Sequence, residues 1–182
     1  MNIELLCTDT LEQAVRKLNE ETANLNFKIH KMACEEALGF ICARDVIAGE
    51  NVPPFRRSTV DGYAVIAADS YGSGDSNPAF YQVIGHVNIE EPARMAVRTG
   101  EAMQVQTGSM VPDGATAVLM VEYTELYAAG KMIGYKAVSD GENVIQPGED
   151  ITIGECLISK GRKINAGDIG MMAALGISEI EV

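Results

Sequence analysis

Near the start of the chain, Leu11, Ala14, Val15 and Leu18 recur at i, i+3, i+4 and i+7. That spacing gathers apolar side chains on one face of a helix. Asp9 with Glu12 three residues on predicts a capped start for it. A second short helix is predicted from about Met32 to Leu38, stopped by Gly39. Near the end, Asn165 and Asp168 repeat the capping arrangement, and Ile169, Met172 and Ala173 supply an apolar face. Gly176 closes that helix before a final strand, Ile177 to Val182.

Between these ends the pattern changes. From about Ala48 to Asn143, Gly, Pro and Asp punctuate short apolar runs such as Tyr81-Gln82-Val83-Ile84 and Ala117-Val118-Leu119-Met120-Val121. These predict short strands joined by turns. Ala128-Ala129-Gly130-Lys131 and Lys160-Gly161 are expected as hairpin loops. The expected fold class is α+β. An α/β lobe is built from both termini, residues 1–47 and 144–182, with a β-rich, barrel-like lobe inserted over 48–143. The closing alternation, Ile177 to Val182, suits a strand tied into a sheet or a chain cut from something longer. The cut is the favoured expectation.

Length and charge narrow the function. A chain of 182 residues buries roughly 70% of its unfolded surface and needs no staples. Its 14 Lys and Arg against 26 Asp and Glu give a net charge of -12. Such a field repels nucleic-acid phosphates and anionic membrane surfaces, and tolerates a divalent cation or a basic partner. No apolar run is long enough to span a bilayer, and Met1 to Cys7 lacks the form of a secretion signal. Cys7, Cys34, Cys42 and Cys156 show no C-x-x-C spacing, so reduced thiols in a cytoplasmic protein are expected.

Three stretches carry candidate chemistry. In PPFRRSTVDGYAV, residues 53–65, two prolines stiffen the approach to Arg56, Arg57, Ser58, Thr59 and Asp61 around one turn. Gly62 follows and would permit a backbone conformation closed to other residues. The turn can project a carboxylate that hydroxyl and guanidinium neighbours keep ionised. Composition alone favours a plainer alternative, an Asp-Gly turn beside a solvated basic pair. In residues 105–122, Thr107 could donate to an anionic ligand, and Gly108 would let its amide approach closely. Residues 141–151 end on Glu149 and Asp150 behind Gly148, a pair suited to a hard cation or a general base. In so acidic a chain a solvated pair is the plainer alternative. The 69–75 stretch lacks oxygen ligands where a calcium loop needs them, and His30 and His86 are isolated.

In order and wording these stretches resemble the molybdopterin molybdenumtransferase family, the MoeA proteins of bacteria and archaea and the E domain of gephyrin. The resemblance rests on Pro53-Pro54-Phe55, Ser58 to Ala64, Thr107-Gly108, Val111 to Gly114 and Gly148 to Ile151. Ala37-Leu38-Gly39, Ala43 to Val46 and Ala173 to Ile177 fit the same pattern, so it covers nearly the whole chain. Arg56-Arg57 departs from the Asp-Asn of many members. The α/β pterin-binding domain and small β domain that follow in the family have no counterpart here.

The resemblance implies the N-terminal part of an enzyme that inserts molybdate into adenylylated molybdopterin with help from Mg2+. It implies a homodimer in which this region supplies an elongated arm and one wall of a cleft. The other wall would be the pterin-binding domain. Carried onto this chain, Asp61, Thr107 and Asp150 face the cleft as catalytic residues. Ser58, Gly62 and Gly108 contact substrate, and Asp61 and Asp150 hold magnesium. Alone, the chain is expected not to turn over. Two alternatives stand beside this reading. One is a free-standing, non-catalytic dimerisation module, the other a magnesium-dependent hydrolase built on Asp61 and Asp150. A reading frame extending about 200 residues further would favour the enzyme part over the module.

Overall fold

The structure is a computed structural model describing residues 8–23, 25, 27–89 and 91–182. Met1 to Cys7, the segment without the form of a secretion signal, lie outside the described residues. Helix α1 spans Leu11–Thr22. Its cap is Thr10 with Gln13, one residue later than Asp9 with Glu12, because the Thr10 hydroxyl accepts the Gln13 amide. Asp9 instead receives Lys17 Nζ at 2.8 Å. The predicted apolar face is open: Leu11 is 81% exposed and Leu18 62%.

Twelve strands follow among the described residues. They are β1 (Lys31–Ala33), β2 (Val46–Ile47), β3 (Arg57–Ser58), β4 (Gly62–Val65), β5 (Ala79–Val87) and β6 (Glu101–Val105). Then come β7 (Ala117–Met120), β8 (Thr124–Ala128), β9 (Lys131–Gly134), β10 (Val144–Ile145), β11 (Cys156–Ile158) and β12 (Glu179–Glu181). Helix α2, Ala166–Ala174, carries the expected box, with Asn165 and Asp168 satisfying each other's backbone amides.

The helix predicted over 32–38 is absent. β1 occupies its first residues and a single 3-10 turn, Cys34–Glu36, the next. The reason is non-local, since Met32 pairs with Ile180 as β1 runs antiparallel to β12. Gly39 does take the left-handed φ expected of a stop, +84°. Lys160-Gly161 lies in a turn closed by Arg162 N–H to the Ser159 carbonyl. It is no hairpin, however, because Lys163 pairs with Ile41 while β11 pairs with β2.

Six strands form the main sheet in the order β7-β4-β6-β5-β9-β8. Only β5 and β6 run parallel, and the β8–β9 hairpin turns at Ala129-Gly130 as expected. One face buries Tyr63, Val65, Tyr81, Leu119 and Met132, and the other Ala64, Met103, Val105 and Val118. The Val, Leu and Met side chains among these contribute about 2 kcal/mol apiece when fully buried. A separate cluster joins Cys34, Ala37 and Cys42 to Ile158, Ile164, Met172 and Ile180, drawing on both ends of the chain. The described residues form a β-rich α+β fold with two α-helices. Cys34, Cys42 and Cys156 are free thiols, and no described helix is long and apolar enough to cross a membrane.

Candidate active site

β4 is buried at all four positions and sits between β6 and β7. Asp61 immediately precedes it, so the carboxylate is delivered at the end of the most enclosed strand. Gly62 pairs with Val105 on one side and Met120 on the other. The chain leaving β6 at Val105 turns through 106–109 directly beside Asp61. There the Thr107 amide donates to Asp61 Oδ1 at 2.7 Å, and the Thr107 hydroxyl donates to the same oxygen at 2.9 Å. These bonds, the amide first and the hydroxyl second, hold the Asp61 carboxyl below the usual carboxylate range. The expected guanidinium help is absent. Arg56 instead donates to the carbonyls of Ala115 and Pro112.

The supporting turns explain several sequence features differently from expectation. Ser58, expected at the substrate, is 1% exposed. Its hydroxyl donates to the Val60 carbonyl at 2.6 Å, so it braces the turn. Gly108 has the left-handed φ of +90°, but its amide donates to the Ser58 carbonyl at 2.8 Å and is not free for a ligand. Gly62 has no positive φ. It is glycine because a Cβ there would stand 2.1 Å from the Leu119 carbonyl oxygen. Ser109, fully buried, locks the 106–109 turn: its hydroxyl donates to the Gln106 carbonyl at 2.7 Å and accepts the Gln106 amide at 3.0 Å. Its small polar side chain in a Thr-Gly-Ser turn was the only local sign of that role.

Removing the Thr107 hydroxyl gives a direct check on the electrostatics. In Thr107→Val the amide bond remains and the hydroxyl bond is lost, so the Asp61 midpoint should rise toward the ordinary value. The sign follows from linkage. With a folded pKa below the unfolded one, the stabilising contact is present above the unfolded pKa. It is lost as pH falls through the folded pKa. A carboxyl-carbon NMR titration reads the midpoint, and an unchanged value would show that the hydroxyl contributes nothing.

Asp150 is exposed. Its amide donates to the Val52 carbonyl at 2.9 Å, and the Gly148 amide to the Pro53 carbonyl at 3.0 Å. The 148–151 segment is thus laid against the start of the Pro-Pro stretch, while Thr107 meets its end at Asp61. Asp150 shares no hydrogen bond with Asp61 or Thr107 among the described residues. No group of three or more His, Cys, Asp or Glu converges on a common ion position among the described residues. Magnesium commonly takes only one or two carboxylates, completing its shell with water and substrate phosphates. Asp61, exposed and with both Thr107 bonds on Oδ1, leaves Oδ2 for that role. The donor set therefore fits a substrate-bridging ion and does not fit a protein cage.

Comparison with known proteins decides the family. The family model for the MoeA N-terminal region (domain I and II) matches residues 9–176. The chain belongs to that family. A Staphylococcus epidermidis protein named molybdopterin molybdenumtransferase is 29% identical over 185 residues, covering 100% of this chain and 43% of the relative. The Staphylococcus aureus protein of that name is 34% identical over 151 residues, covering 83% of this chain and 36% of the relative. This MoeA-type chain thus spans less than half the length of those relatives. The crystal structure of the molybdopterin biosynthesis MoeA protein from Pyrococcus horikoshii OT3 superposes with a TM-score of 0.80 at 35% identity. That match covers 85% of this chain and 41% of the other. A further Pyrococcus structure of that description gives 0.83 at 34% identity, covering 92% and 43%.

Proposed function

We propose that this chain is the N-terminal part of an enzyme of molybdenum cofactor synthesis that inserts molybdate into adenylylated molybdopterin. The observation that carries the reading is the Asp61–Thr107 contact, built at the meeting of two family-matching stretches. Two donors on Oδ1 fix the carboxylate's orientation and favour its charged form. Both bonds fall on Oδ1 of an exposed residue, and in this reading the opposite wall of a cleft closes over that carboxylate. Asp61, joined by Asp150, would hold magnesium, which when bound would neutralise charge on the phosphate of the adenylate. Thr107 positions the carboxylate, Ser58 and Ser109 hold the two turns together, and Asp150 brings a second charge to the cleft rim.

In this reading the chain supplies one wall of the cleft and an arm in a cytoplasmic homodimer. The pterin-binding wall lies in the C-terminal part that the longer relatives possess. The test compares the full-length protein with this chain alone, each given adenylylated molybdopterin, molybdate and Mg2+. Full-length protein should release AMP and yield molybdenum cofactor, and the chain alone should do neither. AMP release by the isolated chain would place the chemistry entirely here. No insertion by the full-length protein would reject the assignment.

A further inference from the structure

Asn143 is the one non-glycine residue with a positive φ among the described residues, at 61°. Left-handed backbone costs most L-residues about 1 kcal/mol or more, and asparagine bears it better than most. Such a conformation persists where surrounding contacts over-determine it, often beside a functional site. The contacts around Asn143 do so. Its carbonyl accepts the Thr59 amide at 3.1 Å, and its side-chain Nδ2 donates to the Val118 carbonyl at 2.8 Å. Val144, the next residue, pairs with Ser58 as β10 meets β3. Glu142, the previous one, accepts the Val118 amide at 3.0 Å. One residue therefore joins β7, the β3–β4 turn and the start of β10. Asp61 lies in that turn two residues beyond Thr59, and its own carbonyl accepts the Val121 amide at 3.0 Å.

We propose that Asn143 is a positioning residue for Asp61: its left-handed backbone and its side-chain amide hold the 58–61 turn against β7, so that the Asp61 carboxylate meets Thr107. Neither of its hydrogen bonds goes to Asp61 or Thr107; it acts through the Thr59 amide and the strand beside the turn. A glycine at 143 would adopt the same backbone and keep the Thr59 bond, whereas alanine resists that φ and also loses the Nδ2 donor. Effects on catalysis follow because displacing a reacting group by about 1 Å can cost on the order of a hundredfold in rate. The catalytic consequence rests on the role of Asp61 proposed above.

The test uses the full-length protein and measures kcat and KM for molybdenum insertion. Asn143→Ala should lower kcat about tenfold or more, with a smaller change in KM. Asn143→Gly should recover at least about threefold of that loss. Combined with Asp61→Asn, Asn143→Ala should have little further effect, because it acts through a carboxylate already disabled. Unchanged kcat in Asn143→Ala, equal loss in alanine and glycine variants, or full additivity with Asp61→Asn would each overturn the proposal. Amide hydrogen exchange in the same proteins gives a readout independent of turnover. Exchange at Thr59 and Thr107 should quicken in Asn143→Ala while β5 and β6 stay protected. Unaltered exchange at both amides overturns the positioning role even in a protein that inserts no molybdenum, so this idea and the proposed function fail separately. Should alanine prevent folding, Asn143→Gly against the wild type keeps the φ and removes only the Nδ2 donor to Val118; it should still lower kcat and quicken exchange at Thr59 and Thr107, and no change in either would overturn the proposal.

Discussion

Asp61→Asn in the full-length protein is expected to lower molybdenum insertion by about a hundredfold or more. Asparagine has nearly the same shape, and its side-chain oxygen can still accept both the Thr107 amide and hydroxyl that Asp61 Oδ1 now receives. The turn's other bonds, from Val121 N–H to the Asp61 carbonyl and from the Gly108 amide to Ser58, are untouched. Stability should therefore change by no more than about 1 kcal/mol, as for most surface substitutions. What disappears is the negative charge, and with it the cation-holding role proposed above for Asp61. Insertion rate measured beside protein abundance and denaturation midpoint separates the two effects. Full cofactor synthesis by the Asp61→Asn enzyme at wild-type abundance would make the turn structural and move the chemistry to the C-terminal part.

Gly62→Ala, one residue on, should fail for the opposite reason. Its methyl would lie 2.1 Å from the Leu119 oxygen, 2.9 Å from its carbonyl carbon and 3.1 Å from Met120 Cα. All three are backbone atoms of β7, so no side chain can rotate away. β4 and β7 would have to separate in a layer where Ala64, Val65, Val118 and Leu119 are wholly buried. Overpacking of this kind costs about 3 kcal/mol, a fall of roughly 10 °C in Tm for a chain of this size. Urea denaturation measures it directly, and a loss below about 0.5 kcal/mol would mean that the sheet yields more than its packing implies. Gly108 shows the contrasting need: nothing lies within 4 Å of a Cβ there, and its φ of +90° alone demands glycine.

How much was legible in the sequence follows the range of the forces involved. Local signals read well. The box at Asn165 and Asp168, the reversal at Ala129-Gly130 and the left-handed Gly39 each depend on a few neighbouring residues. Order and wording of the three stretches were enough to place the chain in its family, whose model matches residues 9–176. Where partners came from far along the chain, local reading failed. Residues 32–38, expected as a short helix stopped by Gly39, instead begin with a strand, since Met32 pairs with Ile180 and the strand wins the backbone hydrogen bonds.

The site divides in the same way. Asp61 and Thr107 could each be singled out by residue type. That the second would depress the pKa of the first required a fold that sets the end of β4 beside the end of β6. The family resemblance implied a substrate contact for Ser58; a hydroxyl in a turn has no burial written in it, and only packing showed it enclosed. Gly62 was read for its dihedral freedom, whereas its need is the proximity of β7, more than fifty residues away in sequence. Residue identity determined which groups could do chemistry, since charge and hydrogen-bonding capacity are properties of side chains. Tertiary structure alone decided which of them meet and which stay accessible, because distance and burial come from strands paired across the whole chain.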